Sequence, residues 1–470
     1  MPPFPPLRGC RDTEHKPTHL LSLPGISMDF IPIPPGLQTR FCLIGENLLP
    51  QIPGLIRKTW PQDNLPLRLV ADGNTWRVAG ERLQAILAES GLSVDTPFLF
   101  PAEPPFHAEY PLVEALRRPL AGHRPVAVGA GTINDLVKRC TFELGLDGYL
   151  CCATAPSVDG YTSAGAAITK DGLKQTLPCP APLVIAADTA ILATAPFPMT
   201  AAGYADLAAK IPAGGDWLIA EAVGLTPRES VSWQMVQGDL REWLEAPQSL
   251  REGNPRSLRK LFLGLCQTGF AMQHLLDSRP ASGAEHLYSH CWEMRDIRKD
   301  GIQPSHGFKV AVGSLITTAL MEAVYFQTST EELRRLSEGV PLLTPEARAA
   351  QVREFLGGTP FEGSALKVSQ EKLPQGESGK ARRRRLLETH GALSRSLRTQ
   401  LLPFRELRSR LRALGCPVSL PEIGLPDSDL RFTTYGAGMI RNRYTILDVL
   451  ADLGLTDHFC QKALEAFRQP

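Results

Sequence analysis

The pattern of apolar residues changes character near residue 200, and that change constrains the fold more than any other feature of the chain. Before it, short β-like apolar runs at 67–71, 98–100, 126–128, 149–153 and 183–186 alternate with helical patterns at 80–89, 110–120 and 133–144. Such alternation predicts a parallel sheet covered by helices. After it the strand signal nearly vanishes, and helical spacing dominates at 201–211, 258–276, 284–297, 307–325, 345–356, 382–414 and 444–453. Pro403 is expected to kink or split the longest of these. The polar stretch 363–379 reads as a connector. The chain is therefore divided into a Pro-rich, unstructured extension (1–27), an α/β domain (28–198) and an all-α domain (199–470).

Composition narrows the function. A chain of 470 residues holds roughly two to three domains. Its formal net charge of +1 argues against nucleic acid or an anionic membrane as the main partner. The basic run Arg382–Arg385 lacks interleaved aromatic residues and reads as a solvated helix face. The ten cysteines include no Cys-x-x-Cys pair, so a zinc ribbon is excluded and reduced thiols in the cytoplasm are expected. The first residues show no apolar export segment, and no run of about 18 apolar residues predicts insertion into a membrane.

Two features suit a dinucleotide. In Pro125-Val-Ala-Val-Gly129-Ala130-Gly131-Thr132-Ile-Asn-Asp135, a strand enters a small-residue turn and then a helix. Small residues let backbone approach a ligand, and a helix N-terminus offers free N–H groups to a pyrophosphate. Thr132 and Asp135 have the spacing of a capping box. The third glycine of the dinucleotide fingerprint is missing, so an ordinary strand–helix turn stays open. Asp72, in Ala71-Asp72-Gly73-Asn74-Thr75, ends a strand where an acid can bond ribose hydroxyls, or simply form a turn.

Three fragments suit a metal ion: Gly203-Tyr-Ala-Asp206, Glu285-His286-Leu-Tyr-Ser-His290 and Ser305-His306-Gly307. Histidines four apart share one helix face. A carboxylate with two imidazoles fits a divalent transition metal with an open position for substrate, and such a metal polarises carbonyls. Caps or satisfied core groups are the plainer reading of isolated histidines.

Taken in order, these motifs, with Thr154-Ala-Pro-Ser157-Val-Asp159-Gly160, Ala187-Asp-Thr189 and Arg441-Asn-Arg-Tyr-Thr445, resemble the sn-glycerol-1-phosphate dehydrogenase family, especially its longer bacterial branch. That family lies within the iron-containing alcohol dehydrogenase and dehydroquinate synthase-like group. The resemblance implies a Rossmann-like N-terminal domain, an all-α C-terminal domain and an active site between them. It implies that Gly129, Ala130, Gly131 and Thr132 hold the NAD pyrophosphate, with NADP a possible substitute. Ala130 stands where the wider group has glycine. Asp72 and Asn74 would face the adenosine ribose, and Thr154, Ser157 and Ser163 the nicotinamide side. Asp206, His286 and His306 would hold zinc or nickel. Asp159 would bond the substrate hydroxyl, and His290 would contact substrate or relay a proton.

The activity so implied is reversible reduction of dihydroxyacetone phosphate to sn-glycerol 1-phosphate, in phospholipid metabolism, by a cytoplasmic homo-oligomer. Lys170, Lys174 and Lys309 are candidates for the substrate phosphate. The alternatives are a dehydroquinate synthase-type cyclase, which regenerates its NAD, and a dehydrogenase of non-phosphorylated polyols.

Overall fold

The computed structural model describes residues 28–171 and 173–469. The expected extension at 1–27 lies outside the described residues. Among the described residues nine strands form between Met28 and Asp188, and every later element is helical. Seven strands make one sheet, in the order β1 (Met28–Phe30), β2 (Phe41–Gly45), β9 (Val184–Asp188), β6 (Leu150–Ala153), β5 (Arg124–Gly129), β3 (Leu67–Asp72) and β4 (Phe98–Phe100). Only β1 runs antiparallel to its neighbour. The remaining two strands, β7 (Ala166–Lys170) and β8 (Leu173–Leu177), form a separate antiparallel ribbon.

Side-chain alternation explains why the sheet is covered on both faces. Val70 and Ala127 point into one buried cluster, whereas Leu69, Ala71, Val126 and Val128 point into the other. Register brings the carboxyl ends together: Gly129 pairs with Ala153, and Asp72 ends the strand on the other side of β5. In open α/β sheets, ligands bind outside this edge.

The helical part has its own core, through which helix His306–Tyr325 runs. By length and composition this helix could cross a membrane, although Lys309 and Glu322 interrupt its apolar run; 89% of its most apolar stretch is buried inside the molecule, as in a core helix. Helix Pro255–Leu275 joins the two parts. Its Leu258, Leu261 and Leu265 enter the helical core, while Phe262, Cys266 and Phe270 pack beneath the sheet.

Two expectations are corrected. The supposed connector holds helix Glu362–Lys372 and the start of Gly376–Gln400, because Ala365 packs with Val352, Phe355, Leu356 and Met439. The long helical pattern is indeed broken before Pro403, and resumes at Phe404. The basic run is tied down rather than simply solvated: Arg382 approaches Asp452, and Arg383 and Arg385 donate to backbone carbonyls. The nine cysteines among the described residues are buried and unpaired.

Candidate active site

Glycines bring the ligand-type residues together. Helix Phe197–Ala208 carries Asp206 and lies against the segment after β6, where a Cβ on Gly203 would sit 1.8 Å from the Pro156 carbonyl oxygen. A Cβ on Gly307 would sit 2.2 Å from Ala202 O, and one on Gly313 2.4 Å from Glu285 O. Absence of side chains at these points lets the backbones carrying Asp206, His286 and His306 converge. Among the described residues these three form the one group of ligand-type side chains whose donor atoms all lie within 4.8 Å of one another.

The donor set fits a divalent metal. Asp206 is 1% exposed, and its Oδ1 lies 3.4 Å from His286 Nε2. Ligands bonded at ~2.1 Å to a tetrahedral ion lie about 3.4 Å apart. Each imidazole is oriented from behind by a carboxylate: His286 Nδ1 meets Glu285 Oε1 at 2.8 Å, and His306 Nδ1 meets Glu293 Oε1 at 3.1 Å. Histidines that bind metal through Nε2 commonly donate Nδ1–H to such partners. Burial favours the neutral form of His286, but Asp206 and Glu285 outweigh it and raise its pKa; for His306 burial prevails and lowers it.

A buried lysine completes the cluster. Lys210 Nζ lies 2.7 Å from both Asp206 Oδ1 and Asp159 Oδ2, while the Asp159 backbone N–H donates to Asp206 Oδ2. Burial opposes the charge on Asp206, but Lys210 and the histidines hold its carboxyl far below the usual range. Asp159 is thereby brought beside the metal-type triad. His290 lies outside the triad, with its ring centroid 6.0 Å from that of His306. Burial, together with Arg441, pushes its pKa down to about 3, so its imidazole is neutral near pH 7. Nδ1 faces Glu293 Oε2, which leaves Nε2 as the acceptor.

The proposed cofactor residues gather at the sheet's carboxyl edge. Gly129 ends β5, and Thr154 N donates to its carbonyl. Helix Gly131–Glu143 is capped at Ala130 with no side-chain bond, so the anticipated capping box is absent. Asp135 instead accepts from Ala167 N and pairs with Lys138, because the β7–β8 ribbon packs against this helix. Ser157 and Ser163 are buried, and Thr132 is half-buried. Lys138 fastens the intervening loop by donating to the carbonyls of Gly160, Ser163 and Gly165. Asp72 Oδ1 accepts from Asn74 N and Thr75 N, so that oxygen serves its own turn. Asn74 is exposed and accepts from Arg77.

Sequence reasoning passed over Lys210, Glu285 and Glu293. Each had a signal: a lysine one helical turn after Asp206, an acid adjoining His286, and an acid three residues after His290.

Residues 43–196 match the family model described as iron-containing alcohol dehydrogenase. A glycerol-1-phosphate dehydrogenase [NAD(P)+] of Halalkalibacterium halodurans is 32% identical over 306 residues, covering 64% of this chain and 74% of the relative. One from Bacillus licheniformis is 28% identical over 417 residues, covering 88% of each chain. Among solved structures, glycerol dehydrogenase from Schizosaccharomyces pombe superposes with a TM-score of 0.57 at 15% identity, covering 92% of each chain, a likeness of fold.

Proposed function

The chain belongs to the glycerol-1-phosphate dehydrogenase family, and from that premise we propose that it catalyses reversible, NAD(P)-linked reduction of dihydroxyacetone phosphate to sn-glycerol 1-phosphate. The observation that carries this reading is the convergence of Asp206, His286 and His306 beside Asp159, with both imidazoles backed by carboxylates. When bound, a divalent metal, zinc or nickel, supplies Lewis-acid polarisation of the ketone, and the nicotinamide supplies the hydride.

The protein's own groups do the remaining work. Asp206, His286 and His306 hold the metal, while Glu285 and Glu293 keep each Nε2 turned inward. The uncapped N-terminus at Gly131 and Thr132, with Gly129 and Ala130, receives the pyrophosphate. Asp72 and Asn74 face the ribose. Thr154, Ser157 and Ser163 line the nicotinamide side. Asp159, held by Lys210, hydrogen-bonds the substrate hydroxyl. His290, neutral and with Nε2 free to accept, receives a hydrogen bond or a proton from substrate. In this reading residues 28–198 form the cofactor domain and residues 199–470 the metal and substrate domain. The enzyme works as a cytoplasmic homo-oligomer, and its product enters phospholipid synthesis.

The test is NADH oxidation with dihydroxyacetone phosphate, dihydroxyacetone and a dehydroquinate precursor compared side by side. Stoichiometric NADH loss with the phosphorylated ketone, giving sn-glycerol 1-phosphate, is expected. Turnover without net NADH loss would favour a cyclase. Equal kcat/KM for both ketones would favour a polyol dehydrogenase.

A further inference from the structure

Glu293 is 5% exposed in its side chain and carries more positive partners than orienting His306 requires. Its Oε1 meets Lys174 Nζ at 3.2 Å and Lys309 Nζ at 3.4 Å, in addition to His306 Nδ1. Lys309 lies in the first turn after His306 and is 3% exposed in its side chain. Lys174 comes from β8, so it reaches this point from the other half of the molecule. Arg441, in the Arg441-Asn-Arg-Tyr-Thr445 motif, is half-buried; burial pulls its pKa down, and the charges of Asp277 and Glu293 partly offset that. Asp277 is paired with Arg443 at 3.1 Å.

Three cations thus stand around Glu293, the one carboxylate that both lysines meet directly; Asp296 near Lys309 is paired with Arg298, and Asp277 with Arg443. Burying ammonium groups is costly unless they are paired and hydrogen-bonded. That Glu293 oxygen cannot satisfy all three N–H groups of the buried Lys309, while Lys174, 37% exposed in its side chain, holds its ammonium at the solvent-facing side of the same carboxylate. The surplus of two positive charges matches a phosphate dianion, whose oxygens accept charge-assisted hydrogen bonds. Position agrees as well. Both lysines meet the Glu293 oxygen that also meets His306 Nδ1, so they stand next to the metal-type triad.

We propose that Lys174, Lys309 and Arg441 form the subsite for the substrate's phosphate, with Glu293 as its internal counter-ion, and that this subsite sets the preference for a phosphorylated ketone. The inference rests on the function proposed above and deepens it. Because Lys174 belongs to the ribbon and the other two cations to the helical part, a bound phosphate ties the two halves together across the cleft.

The experiment uses the full chain and five proteins: wild type, Lys174→Ala, Lys174→Arg, Arg441→Gln and, as control, Lys380→Ala, whose exposed ammonium pairs with Glu377 at 2.7 Å. Two quantities are read: the ratio of kcat/KM for dihydroxyacetone phosphate to that for dihydroxyacetone, and the affinity for inorganic phosphate by calorimetry. Lys174→Ala and Arg441→Gln are each expected to lower the ratio by about 10- to 100-fold, the range of a charged hydrogen bond, and to weaken phosphate binding in parallel. Lys174→Arg should recover part of the loss, and Lys380→Ala should keep the wild-type ratio. An unchanged ratio with unchanged phosphate affinity in both cleft variants overturns the subsite. If wild type binds phosphate and the cleft variants do not, yet no ketone oxidises NADH, the subsite stands and the dehydrogenase reading falls.

Discussion

Replacing Gly203 by alanine probes how the site is assembled. The added Cβ would lie 1.8 Å from Pro156 O, 2.8 Å from Pro156 C and 3.1 Å from Ser157 Cα. All three are backbone atoms, so no flexible side chain can swing aside. Real Cβ atoms essentially never come closer than 3.0 Å, so helix Phe197–Ala208 and the segment after β6 must part by about 1.2 Å, the difference between 1.8 and 3.0 Å. That movement strains the hydrogen bond from Asp159 N to Asp206 Oδ2, now 3.0 Å. Overpacking costs ~1–3 kcal/mol, and rigid backbone on both sides puts this site at the upper end. Better helix propensity returns up to ~1 kcal/mol, which leaves a net loss of about 2 kcal/mol. A displacement of ~1 Å between reacting groups costs about 100-fold in rate. Urea denaturation and kcat/KM, measured on the same preparation, check both figures. Gly391→Ala is the control, since its Cβ would meet nothing within 4 Å; there a gain of ~0.5–1 kcal/mol is expected. A Gly203→Ala protein as stable and as active as wild type would refute the reasoning.

Two further changes test separate parts of the account. Asp159→Asn should lower kcat/KM for dihydroxyacetone phosphate about 10- to 100-fold, the range of a charged hydrogen bond, and steady-state kinetics with calorimetric titration of NADH should show that cofactor affinity stays within about 2-fold. At Asp452, burial, opposed by Arg382 and Tyr444 and aided by the charge of Asp448, pushes the carboxyl up to about 6 from 3.8. A folded pKa above the unfolded one contributes stability that is full below about pH 4 and is lost as pH rises through 6. Two pKa units correspond to about 3 kcal/mol. Asp452→Asn should therefore gain stability relative to wild type by up to about that amount between pH 4 and pH 7.5; a difference that stays flat in urea titrations at the two pH values would contradict it.

The parts legible in the sequence were those written in local periodicity. Helix Tyr110–Leu120 and strand Phe98–Phe100 appear where spacing placed them. Strand Phe41–Gly45 was missed because it is short, buried and preceded by proline-rich chain with no alternation. The β7–β8 ribbon was missed although Lys170-Asp171-Gly172 carries the Asp-Gly hairpin signal, with Asp171 at a φ of 53°. Helix Glu362–Lys372 was taken for a connector because only Ala365 and Ser369 are buried on it, too few to make a periodic stripe. At the site, the triad comes from three helices, with Asp206 about 80 residues before His286 and a turn of chain between the two histidine helices, so spacing alone could not join them; the order of motifs did. Lys210 was legible in principle from its i, i+4 relation to Asp206. That its charge is shared with Asp159 depends on the approach at Gly203, which is a tertiary fact.

Metal content tests the central claim most directly. After purification and dialysis against chelator-free buffer, wild type is expected to retain one divalent ion per chain, while Asp206→Asn, His286→Ala and His306→Ala, each checked for native circular dichroism, should retain almost none. Folded variants that keep a full equivalent of metal would contradict the assignment of these three side chains.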